Sequence, residues 1–172
     1  MPDRLTATQL VPILRQVVVS VTLLVLAGAL AGVVWVWLWT PPTGVVVDHR
    51  WVQDESGLRG DFSATGSYVA VAAVTGLLVA VLLGVLFDRA EIVTLLAVLA
   101  GSMLAGWVMY RVGVALSPAD PRSLADSVEE GARLPGRLMV DGSSPFRAFP
   151  GGAMLGLVIV YFGLPRRHVN RA

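Results

Sequence analysis

Four long apolar stretches punctuate the chain. The first runs from Val17 to Trp39 without a charge, and the second from Tyr68 to Phe87. The third covers Ile92 to Tyr110 and can be carried past Arg111 to Leu116; the fourth covers Phe149 to Leu164. A helix needs about 20 residues to cross the hydrocarbon core of a bilayer, and the first three runs meet that need directly. The pattern therefore predicts an all-α integral membrane fold in one domain, with transmembrane helices over 17–39, 68–87, 92–110 (or to 116) and 149–164. The fourth is short, and is expected to thin the bilayer, lean on neighbours or borrow Ala148 and its flank. Pro150 is tolerable there because the first helical turn has no amide partner to lose.

Two longer polar stretches, 40–67 and 111–148, join the runs and are expected to pack together as a small cap. "GVVVDHRWV" is β-rich and "ESGLRGD" reads as a turn. "DPRSLADSVEEGARL" predicts a short helix, with Asp120 as N-cap, Pro121 in the first turn and Gly131 as the stop. "GRLMV" is a candidate strand to pair with "GVVV", and "GSSPF" reads as a turn before the fourth helix.

Trp35, Trp37 and Trp39 alternate at the end of the first run. A strand at that depth would leave backbone groups unsatisfied, so the alternation belongs to a helix. There Trp35 and Trp39 lie nearly on one side and Trp37 almost opposite, within about 6 Å of helix axis. The expectation is a girdle of rings at headgroup depth marking the helix end. A cage for a quaternary ammonium would need a ring from a neighbouring helix. Ala29-Leu30-Ala31 resembles a signal-peptidase site, but the run is too long and continues well beyond it, so it reads as a retained helix.

Small residues recur at every fourth position: Gly28 and Gly32; Ala72, Gly76, Ala80 and Gly84; Ala97, Gly101 and Ala105; Gly152 and Gly156. Such faces let helix backbones approach closely in lipid, so they are the expected packing or partner interfaces. The spacing leaves open whether the partner lies in this chain or in another subunit. The remaining polar groups inside the runs, Ser20, Thr22, Thr75, Thr94, Ser102 and Tyr161, are expected to bond locally. No Asp, Glu, Lys or His lies at mid-membrane, which argues against an ion-coupled carrier.

Composition agrees. Apolar residues make up 55% and the mean hydropathy is +0.72, more apolar surface than a soluble domain of 172 residues can hide. The net charge of +1 gives no basis for a nucleic-acid partner. The absence of Cys removes disulfides and thiolate chemistry. All 13 basic residues are Arg, which points to a GC-rich, actinobacterial source. Their placement predicts both termini on the cytoplasmic side of the plasma membrane, with Arg4, Arg15, Arg89, Arg166, Arg167 and Arg171 inside and the cap, rich in Asp and Glu, outside. Arg111, Arg166 and Arg167 join the three tryptophans as expected interface anchors.

Candidate chemistry is sparse. His49 has no second His or Cys, so no metal site is expected. No serine has a nucleophile-elbow context, and no phosphate-binding glycine loop is present. Glu129 and Glu130 read as a solvated helix face. No catalytic residue and no cofactor are expected.

Four segments carry a resemblance: "GVVWVWLWTPP", "DFSATGSYVAVAAVTG", "LSPADPRSLADSVEEGARL" and "FPGGAMLGL". Their layout, from about Val17 to Leu164, resembles actinobacterial four-helix membrane proteins of unknown function. Relatives of this kind look like accessory subunits beside mycobacterial Mce lipid-uptake machinery. The resemblance implies a non-enzymatic accessory or scaffold subunit of an envelope complex, with the bilayer and other membrane subunits as partners. Two other readings remain. A small homo-oligomeric lipid transporter or channel would form a groove or pore from the small-residue faces. A lipid head-group enzyme would bring Asp48, His49 and loop carboxylates together.

Overall fold

A computed structural model of the chain describes residues 7–53, 55–87 and 91–163. Within these, four helices are long and apolar enough to cross a membrane, and their outward faces carry exposed Leu26, Leu30, Leu78, Leu82, Met103 and Leu155. Apolar side chains in that number cannot face water, so the chain is a multi-pass membrane protein.

Helix α1 spans Ala7–Leu38, α2 Glu55–Leu86, α3 Glu91–Leu116, α4 Pro121–Leu124 and α5 Ala148–Val158. The helices exceed the apolar runs. α2 begins at Glu55, well before Tyr68, so "ESGLRGD" is helical and not a turn. Its glycines are compatible with this because tertiary packing overrides their propensity: Gly57 lies against Gln53, Gly60 against Pro42, and Ala64 is buried. α3 continues through Arg111 to Leu116. The short fourth run gains a 3₁₀ turn before it (Ser144–Arg147) and a π turn after it (Ile159–Gly163). The resulting helical path, Ser144–Gly163, reaches about 30 Å, so no bilayer thinning is required.

α1 packs chiefly on α3, and α2 on α5. Both pairs are parallel: Leu24 meets Gly101, Gly28 meets Ala105 and Gly32 meets Met109, while Gly152 meets Ala73 and Gly156 meets Leu77. At one end of the bundle, both connecting stretches build a cap. Strands β1 (Thr43–Val47), β2 (Arg50–Val52) and β3 (Arg133–Pro135) form an antiparallel sheet in the order β2-β1-β3. The expected pairing of the two stretches is present, but the strand is "RLP" and not "GRLMV", with Gly44 opposite Leu134. Gly136 donates to the Pro42 carbonyl at 2.7 Å and ends the ladder, and Leu138 then drops fully buried into the bundle.

α4 is a single turn. Asp120 caps it as expected, accepting from the Arg122 N–H at 3.0 Å, with Pro121 in the first turn. It does not run to Gly131. Ser123 and Ser127 hydroxyls donate back to the carbonyls of Asp120 and Leu124, the local competition that favours turns over helix. A 3₁₀ turn, Ala125–Ser127, follows.

Candidate functional site

All the small residues singled out in the sequence are buried, and they face other helices of this same chain. A methyl group at Gly76 would strike the Phe149 backbone, and one at Gly84 would come within 3.2 Å of Val160. Ala72, Ala80, Ala97 and Ala105 are 5% exposed or less. The stripes therefore supply the close contacts between helices of this chain. Sequence reasoning missed Gly113, which extends the α3 stripe by two further steps of four and receives the ring of Trp35.

The tryptophans divide. Trp37 is 83% exposed, pointing outward as an interface ring does. Trp35 is fully buried, and this corrects its expected place among the anchors. Its indole N–H donates to the Ala64 carbonyl at 2.9 Å, tying α1 to α2. Trp39 is likewise turned inward. The spacing 28, 32, 35, 39 explains this: both rings continue the packing face of Gly28 and Gly32. Arg111 lies inside α3, exposed, with its guanidinium 5.4 Å from the centre of the Trp107 ring. That is a cation–π contact on the outer surface and suits an interfacial charge. Arg166 and Arg167 lie outside the described residues.

Four aromatic rings close the bundle beneath the cap. Trp35 meets Tyr68 at 5.0 Å, Tyr68 meets Phe146 at 5.6 Å, Phe146 meets Tyr110 at 5.2 Å, and Tyr110 returns to Trp35 at 6.5 Å. Each transmembrane element supplies one ring. The Tyr68 hydroxyl donates to the Gly106 carbonyl at 2.8 Å, which satisfies its polar end.

The cap carries two polar constellations. One is the β1–β2 turn. Asp48 and His49 both take positive φ, 51° and 57°, which gives the tight two-residue turn that a short hairpin needs, at some steric cost for residues other than glycine. Glu130 compensates: its carboxylate accepts the N–H groups of Asp48 at 3.1 Å and His49 at 2.9 Å. His49 Nδ1 stands 4.0 Å from the same carboxylate. Thus the backbone N–H groups of Asp48 and His49 and the His49 ring meet one loop carboxylate at an exposed hairpin tip, where that carboxylate holds the turn.

The second is a cavity of about 90 Å³ between the sheet, the start of α2 and α4. Asp61, Asp120 and Asp141 line it together with Arg122 and Arg137, and Trp51 and Met139 form its apolar wall. Among the described residues, no three metal-ligating side chains gather in a geometry that would hold an ion.

The sheet's two faces differ. Val46 is fully buried, whereas Val45, Val47 and Val52 are exposed on the opposite face, 36%, 50% and 51%. The register puts Arg50 beside Val47 and Arg133 beside Val45. No family model, curated relative or solved structure matches the chain.

Proposed function

We propose that this chain is a non-enzymatic accessory subunit of a cell-envelope membrane complex, held in the plasma membrane with both termini cytoplasmic and the cap outside. The observation that carries the reading is the cap's outer face, where Val45, Val47 and Val52 are exposed beside Arg50 and Arg133 and β2 forms an edge of the sheet. Exposed apolar faces and unpaired strand edges mark sites where another chain docks. The transmembrane helices have already spent their close-packing faces on one another, which leaves the cap as the natural contact. The segment resemblance described above supports the finer assignment, a subunit beside Mce-type lipid-uptake machinery. Arginine placement supports the orientation.

The test is affinity purification from native membranes in mild detergent, followed by mass spectrometry. Transporter subunits should co-purify with the native chain and be lost when Val45, Val47 and Val52 are changed to serine. A lone monomer from the native chain would refute the reading. Because the chain has no Cys, a single cysteine at Ser127 can report the cap's side: an impermeant maleimide should label it in intact cells.

A further inference from the structure

Two parallel helix pairs, α1 with α3 and α2 with α5, make the bundle a pair of plates. Two seams separate them, α1/α2 and α3/α5. Near the cap the aromatic ring closes both seams. At the far end each one opens. The α3/α5 seam holds a recess of about 310 Å³ whose walls include Ile92, Leu95, Met154 and Phe162. At the α1/α2 seam, where α2 ends, lies one of about 240 Å³, lined by Pro12, Arg15, Gln16 and Val19 of α1 and by Phe87, the residue after α2.

The second recess is amphipathic. Pro12, Val19 and Phe87 give it apolar walls. Gln16 is turned inward and already bonded, donating to the Thr94 hydroxyl at 2.6 Å. Arg15 is exposed, and among the described residues no carboxylate lies within 4.0 Å of it; the ion pairs found are His49–Glu130 and Arg59–Glu55. Arg15 precedes the uncharged run by two residues, about 3 Å of helix axis, and so sits at headgroup depth. Water finds few partners on such walls, and an empty recess forfeits dispersion contacts, so hydrocarbon from the surrounding bilayer fills it. A phosphate is the anion that a bilayer supplies at that depth, and a guanidinium is the donor best shaped for it.

We propose that the α1/α2 recess binds one glycerophospholipid of the leaflet opposite the cap, with its phosphate on Arg15 and an acyl chain between Val19 and Phe87. Among the described residues the α3/α5 recess has no cation in its wall, and it takes only exchanging acyl chains. The proposal rests on the membrane-spanning fold and is independent of any partner subunit.

Native mass spectrometry of the full chain in mild detergent tests it, with palmitoyl-oleoyl phosphatidylglycerol, the matching diacylglycerol and inorganic phosphate as separate probes. The expected result is one retained phosphatidylglycerol, with neither diacylglycerol nor phosphate retained. Arg15→Gln should weaken retention about tenfold or more, as loss of a charged hydrogen-bond donor does. Arg15→Lys should keep part of it, and Val19→Phe should displace the lipid by filling the recess. Arg15 is exposed, so its variants should melt with the native chain, which separates lost binding from lost folding. Equal retention of diacylglycerol, retention of phosphate alone, or undiminished binding by Arg15→Gln would overturn the proposal.

Discussion

Gly151 and Gly152 are neighbours on α5 with opposite surroundings. A Cβ at Gly151 meets nothing within 4 Å, whereas one at Gly152 would meet the Ala73 carbonyl, with Ala73 C at 2.8 Å and Cα at 2.9 Å. Backbone cannot step aside as a side chain can. Relieving the contact requires α2 and α5 to part by roughly 1 Å, enough to loosen the dense packing of neighbouring contacts. Those neighbours are Gly76 on Phe149 and Gly156 on Leu77. Gly152→Ala should therefore cost about 1–3 kcal/mol, the usual range for overpacking. Gly151→Ala should stabilise by about 0.5–1 kcal/mol, because alanine loses less backbone entropy in a helix. For a chain of this length each kcal/mol moves the melting temperature by about 2–4 °C. Thermal unfolding in mild detergent, followed by circular dichroism, reads both variants. Gly66→Ala, also in open space, is a second control on α2. If Gly152→Ala melts at or above the native temperature, or if the two neighbours shift alike, the close-approach account of this bundle is wrong.

Four further outcomes follow from the geometry. Trp35→Phe removes the bond to Ala64 and part of a buried ring, and should cost about 1–3 kcal/mol in the same melting assay. Trp37→Phe, on the outer surface, should stay within about 0.5 kcal/mol of native. Replacing Asp48-His49 by Asn-Gly suits the positive φ values and should stabilise the hairpin by about 1 kcal/mol, seen as slower amide exchange in β1 and β2. Glu130→Ala should do the reverse, accelerating exchange of the Asp48 and His49 amides first, because these lose their acceptor.

The helix count was legible in the length of the apolar runs, and the small-residue faces in their spacing of four. Which helix meets which was not, since Gly28 and Gly32 specify a close neighbour without saying whose backbone it is. The start of α2 was hidden for a different reason. "ESGLRGD" has the glycine and charge content of a turn, and its helix is packed at Gly60 on Pro42, a contact from an earlier part of the chain that no local pattern encodes. The reading of Trp35 failed where a signal existed: its place on the Gly28–Gly32 face competed with a preference of indoles for the membrane interface, and packing won. The hairpin was missed because neither Asp48 nor His49 is the glycine that such turns favour; the Glu130 carboxylate that supports them lies 82 and 81 residues away.

The parallel pairing of α1 with α3 and of α2 with α5 constrains how the molecule can be made. Each tight partner is separated in the chain by another membrane-spanning helix, so no two consecutive helices form a finished unit. As the chain emerges, α1 and α2 enter the bilayer with their glycine faces uncovered; α1 finds its partner only when α3 arrives, and α2 waits for α5. Cutting the chain after α3 would leave the face of Gly76 and Gly84 bare in lipid, a surface open to wrong partners. Assembly is therefore a late, collective event that cannot complete before α5 has been inserted.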